Sequence, residues 1–193
     1  MSPARVSLNV AIQPASAYAS LAKDPAGSGI WVLLRGPLLV TLILACSISF
    51  LTKRYLAPGL ILSGMIAWCF VPLAEIAGLA VSLRIGRQRT SFAQATDLFF
   101  AGHTPWFLWL IVFVLPSIIP FHPPATLWPW VGFAVLVAIW SCYIDYFFFR
   151  HVAGARKPGR SLFVQRAISW TLFFVIFGGG SLWPGLLEEL GIR

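Results

Sequence analysis

Four ionisable residues fall where an apolar chain tolerates them poorly. Glu75 lies inside an apolar run from Pro58 to Leu83, and Asp145 inside one from Leu127 to Phe149. Arg35 lies one turn into a run from Trp31 to Leu51, and Arg166 stands at the head of one from Ala167 to Leu187. A charged group within a membrane span is costly, so it marks either a functional site or an ion pair that fixes helix packing. Glu75 is the first of these to weigh. Gly64, Trp68, Pro72, Gly78 and Ser82 share its helical face and are mostly small, which aims Glu75 at neighbouring helices. Arg35 is its expected partner, with Arg166 as the second choice, and Asp145 adds to the same inner polar cluster of Arg35, Glu75, Asp145 and Arg166. A structural pair is favoured over a proton or ion pathway, because one interior carboxylate is thin support for a path.

Other chemistry finds little footing. Cys46, Cys69 and Cys142 sit in three different runs with no CxxC or Cys/His spacing, so they read as packing residues. His103, His122 and His151 stand near proposed span ends, with no HExxH and no base at helical spacing, and read as headgroup-level polar groups. Asp97 and His103, six residues apart, are the only pair resembling an interfacial catalytic set. Gly178-Gly179-Gly180 lies inside an apolar run and not after a strand, so it fails as a phosphate loop and points to close helix contact or a break. No cofactor, no metal and no enzymatic activity are expected.

The elements that must position these residues follow from composition. The 193 residues are 59% hydrophobic and only 10% charged, against roughly 25% charged in soluble domains. A water-facing catalytic domain is excluded, and an all-α bundle of membrane-spanning helices is expected. Windows of about 20 apolar residues give five spans: the four runs above and a third from about Leu98 to Ile119. Gly102 and Pro105 divide that third span into a surface turn and a shorter buried part. Lys and Arg normally stay on the cytoplasmic side. Arg5, Lys23, Arg35, Arg84, Arg87, Arg89, Arg150, Arg156, Lys157, Arg160 and Arg166 fall on one side of five spans, eleven of the fourteen cations. The N-terminus is therefore expected inside and the C-terminus outside. The net charge of +8 thus records topology and contact with anionic lipid, through Arg84, Arg87, Arg89, Arg150, Arg156, Lys157 and Arg160, and not nucleic acid. Residues 1–30, rich in Ala, Ser, Pro and Gly, read as a flexible cytoplasmic tail ahead of a transmembrane domain over 31–193, although Val6 to Ile12 could lie on the membrane as an amphipathic piece.

The order of features resembles the Yip family, five-span membrane proteins that interact with Rab GTPases, and their bacterial relatives. Phe92, Gly102 and Pro105, within Ser91 to Leu110, stand where that family has an aromatic, a glycine and a proline before its third span. Gln165-Arg166-Ala167 is similar to its basic step before the last span. His103 replaces the family's usual Tyr, and the acidic trafficking signature has no equivalent, which takes away the basis for Rab binding. The resemblance implies a scaffold, partner-binding or lipid-organising component of a membrane. Eleven Arg against three Lys points to a GC-rich bacterial source and hence to a bacterial inner membrane. The expected partners are membrane lipids, anionic ones in particular, with a protein partner or a homo-oligomer beside them. A small transporter or channel subunit using Glu75 is the alternative.

Overall fold

A computed structural model describes residues 3–22, 29–85, 90–118 and 128–189. They form nine α-helices and one π-helical turn: α1 Pro3–Ile12, α2 Pro14–Leu21, α3 Ile30–Lys53, α4 Pro58–Trp68, α5 Phe70–Ile85, α6 Phe92–Ala101, α7 Thr104–Ile118, α8 Trp128–Phe147, the π turn Phe148–Val152, and α9 Pro158–Glu189. Among the described residues four stretches are long and apolar enough to cross a bilayer: Ile30–Lys53, Pro58–Ile85, Gly132–Val152 and Pro158–Gly179. α6 and α7, bent by 40° at their break, pass the same test only when taken together as one broken span, which brings the number to four or five. The chain is an all-α polytopic membrane protein. Its outward faces carry uncovered apolar side chains such as Leu62, Ile66, Ile139, Phe163 and Phe174, which suit acyl chains and not water.

Two spans break for reasons written in the sequence. Proline has no N–H and its ring collides with the carbonyl four residues before it. Pro72 therefore interrupts the second span at Cys69, between α4 and α5. Pro105 does the same to Ala101, and the third span breaks at Gly102-His103. There the Thr104 hydroxyl donates to the stranded Ala101 carbonyl at 3.2 Å, and the Gly102 and His103 N–H groups bond the carbonyls of Phe99 and Phe100 in a tighter turn. The two halves of this span differ from expectation. The leading half, α6, is buried from Gln94 to Phe100, whereas α7 turns Leu108, Ile111 and Val112 outward.

The N-terminal segment also departs from the expected flexible tail. Residues 3–22 fold as α1 and α2, which pack on the bundle with Val10 and Tyr18 fully buried. The Tyr18 ring meets Phe148 edge-on, and its hydroxyl donates to the Leu98 carbonyl at 3.1 Å. Composition hid this, because one buried aromatic with a satisfied hydroxyl anchors a short helix that its Ala and Ser neighbours would not. Burial, and then the negative charge of Asp145, push the Tyr18 phenol well above its ordinary value.

The core joins α2, α3, α5, α6 and the π turn through Tyr18, Val40, Leu79, Phe99, Phe100 and Phe148. Gly36 and Gly78 each permit a close approach between helices. A Cβ on Gly36 would lie 2.6 Å from Phe100 Cβ, and one on Gly78 would lie 2.6 Å from the Gln165 carbonyl oxygen. Gly78 therefore lets α5 and α9 touch backbone to backbone. Gly178 and Gly179 do neither of the things expected of them: α9 runs through both, and nothing lies within 4 Å of where their Cβ atoms would be.

Candidate functional site

Arg166 is the hub of the site. It stands eight residues into α9, roughly 12 Å along the helix at 1.5 Å per residue. One guanidinium nitrogen, Nη1, lies 3.3 Å from Glu75 Oε1 on α5. The other, Nη2, pairs with Asp145 Oδ2 on α8 and donates to Ser141 Oγ at 2.9 Å. The neighbouring Gln165 amide donates to Glu75 Oε2 and, at 3.1 Å, to Ser169 Oγ, which donates in turn to the Ala74 carbonyl at 3.2 Å. Three spans are thus tied at one level by charge-assisted bonds. Asp145 is 1% exposed. Asp145 Oδ1, Gln165 Oε1 and Arg166 Nε have no hydrogen-bond partner among the described residues.

Arg35 does not join this network. Its Nε and Nη2 grip both carboxylate oxygens of Asp97 on α6, a bidentate fork. The expected Arg35–Glu75 pair is therefore replaced by Arg35–Asp97, and Glu75 takes its second-choice partner. Depth explains the exchange. Arg35 and Asp97 each lie five residues beyond the first residue of their helices, about 7.5 Å in, whereas Glu75 lies ten residues from the end of α5, about 15 Å in. Asp145 and Arg166, about 10 Å and 12 Å from their helix ends, match Glu75 more nearly.

Beside the network opens a cavity of about 420 Å³, within the roughly 300–1,000 Å³ of ligand pockets. Its walls are Val40 and Leu44 of α3, the α4–α5 joint around Trp68, the α6–α7 joint around Trp106, and Trp170 and Phe173 of α9. Rings dominate it: Trp106 meets Trp109 edge-on at 6.0 Å, and Trp68 stacks on Phe70 at 5.8 Å. Its polar lining comes from Glu75, Arg166, Ser169 and His103. The imidazole of His103 is buried at the break in the third span, between Phe99 and Phe100, with Nδ1 3.4 Å from the Phe99 carbonyl oxygen. It is buried and not at a surface, and Asp97 is held by Arg35, with no hydrogen bond between Asp97 and His103 among the described residues. The indole N–H of Trp109, another cavity residue, has no hydrogen-bond partner among the described residues.

The basic residues lie apart from this interior. Arg84 at the end of α5, Arg150 in the π turn, and Arg156, Lys157 and Arg160 around the start of α9 are exposed, and none is in an ion pair among the described residues. Arg87 and Arg89 fall outside the described residues. Cys46, Cys69 and Cys142 are free, and no group of three or more His, Cys, Asp or Glu among the described residues could hold a metal ion.

Sequence reasoning passed over Asp97 as an ion-pair partner and Gln165, Ser141 and Ser169 as ligands of the carboxylates. Equal depth from the helix starts was the available signal for Asp97. Spacing of four, Gln165 to Ser169 and Ser141 to Asp145, was the signal for the rest. Comparison with protein-family models, with curated proteins and with solved structures returns no match.

Proposed function

We propose that this chain is a non-enzymatic component of a bacterial cytoplasmic membrane that holds an amphiphilic molecule within its bundle and so organises lipid, with its N-terminus inside and its C-terminus outside. The aromatic cavity with a charged floor carries this reading: its walls match an apolar body, and Glu75, Arg166 and Ser169 match a polar end. The exposed run Arg156, Lys157 and Arg160, with Arg84 and Arg150, supports contact between the cytoplasmic end and anionic headgroups. Phe92, Gly102 and Pro105 support a relationship to Yip-like proteins, and His103 in place of the family's usual Tyr, without the acidic trafficking signature, supports the bacterial branch more than a Rab-binding one. A small transporter using Glu75 is the second reading. It is favoured by the break between α6 and α7 beside the cavity, since interrupted helices at a binding site are a transporter device.

The test is purification of the full chain in mild detergent, followed by mass spectrometry of retained lipid. Leu44→Trp, which fills the cavity from α3, should strip a retained amphiphile present in the unmodified chain. Neutralising Arg156, Lys157 and Arg160 together should deplete anionic lipid. Unchanged lipid in both variants, with unchanged orientation of the chain, would defeat the reading.

A further inference from the structure

The charge balance around the cavity selects the kind of molecule it takes. The interior groups are Arg35 and Asp97, which cancel, and Arg166, Glu75 and Asp145, which do not. One guanidinium serves two carboxylates, so the formal charge of the network is −1. Geometry says which carboxylate holds the surplus. Asp145 is buried behind Arg166, away from the cavity, and takes Nη2, while Glu75 lines the cavity and keeps only a 3.3 Å contact with Nη1 and the neutral Gln165 amide. The surplus negative charge thus faces the cavity. In a low-dielectric interior such a charge is costly until a positive charge lies near it.

The walls have the matching chemistry. Trp68, Trp106, Trp109 and Trp170 line the space beside Glu75, and ring faces attract a cation most strongly where water is excluded. Among the described residues no Lys or Arg other than Arg166 pairs with Glu75. α6 brings Asp97, already held by Arg35; the α6–α7 break brings His103, buried between Phe99 and Phe100; α9 brings Gln165 and Ser169. Asp145 Oδ1 and Gln165 Oε1 are buried acceptors without donors and Arg166 Nε is a buried donor without an acceptor among the described residues, so the hydrogen bonding of the network is incomplete on both sides and the case for a cation rests on its formal charge.

We infer that the cavity binds an amphiphilic monocation, a positively charged centre on an apolar body, seated against Glu75 among the tryptophans. This deepens the amphiphile-holding reading and rests on it. It excludes an anionic lipid headgroup from the cavity itself and leaves such headgroups to the basic outer end.

The experiment measures equilibrium binding to the detergent-solubilised full chain of three probes with aryl bodies: tetraphenylphosphonium, tetraphenylborate and neutral triphenylphosphine oxide. Each is corrected by the Leu44→Trp variant as baseline. The cation should bind at least about tenfold more tightly than the anion. Glu75→Gln should abolish that preference while the neutral probe still binds. Should Glu75→Gln fail to fold, Asp145→Asn, which also brings the formal charge to zero, should abolish it in the same way. Equal binding of cation and anion by the unmodified chain, with the neutral probe retained, would overturn the cation assignment and leave the cavity reading standing. Binding of none of the three above the Leu44→Trp baseline would remove both.

Discussion

The contact between α5 and α9 can be tested at a single methyl group. Gly78→Ala would set a Cβ 2.5 Å from Ser169 Oγ and 2.6 Å from the Gln165 carbonyl oxygen. Ordinary contact begins near 3.4 Å, and the Gln165 carbonyl is backbone that cannot turn aside as the Ser169 hydroxyl can, so α5 and α9 must part by about 0.8 Å. Glu75 lies one turn away, where its 3.3 Å contact with Arg166 would stretch to about 4 Å and its bond from Gln165 would weaken. Overpacking of this kind costs about 1–3 kcal/mol, and a buried hydrogen bond left poorly made costs about 1–3 kcal/mol more. Alanine's better helix propensity returns about 1 kcal/mol. The net loss is about 1–5 kcal/mol, or on the order of 2–20 °C in midpoint for a chain of this size. The control is Gly179→Ala, where no atom lies within 4 Å, so that only the propensity gain remains. Thermal unfolding in detergent, followed by size-exclusion chromatography of the fluorescent-tagged chain, reads both. If Gly78→Ala is as stable as the parent, or if Gly179→Ala loses as much, helix packing through Gly78 does not hold the network together.

Arg166→Met should yield little folded protein, since two buried carboxylates lose their shared cation at a cost of about 3–5 kcal/mol. The triple change Arg166→Met, Glu75→Gln and Asp145→Asn should recover most of that stability in the same assay; a single variant as stable as the parent would show that the charges are not coupled. Tyr18→Phe probes the N-terminal anchor, and it should cost about 1 kcal/mol at neutral pH through the lost bond to Leu98. Because the folded phenol titrates above its ordinary value, its contribution is fully present below about pH 10 and is lost as pH rises through the folded value. Unfolding midpoints measured between neutral and strongly alkaline pH should therefore fall more steeply for the parent than for Tyr18→Phe, and parallel curves would remove Tyr18 as the titrating anchor.

What could be read from the residues alone divides along one physical line. A span's existence is dictated by the bilayer, which demands a length of apolar chain whatever its neighbours do, so Ile30–Lys53 and Pro58–Ile85 lie within a few residues of where hydropathy sets them. Breaks follow from covalent geometry, and Pro105 announces one as plainly as Pro72 does, although it does not say which half is buried. Depth is also linear in sequence, and counting residues from helix starts would have matched Arg35 to Asp97 before Glu75. Azimuth is different. Whether Glu75 meets Gln165 and Arg166, or whether Tyr18 finds the Leu98 carbonyl, depends on which faces of three helices meet. Contacts such as Gly78 against the Gln165 backbone and Gly36 against Phe100 decide that, and they are properties of pairs of helices, with no trace in the periodicity of either one. The cavity is one step further removed, being the space that four such pairings leave unfilled. The charges could thus be located along the membrane normal from sequence, whereas the sharing of one arginine by two carboxylates, on which the ligand assignment depends, emerges only when α5, α8 and α9 are brought together.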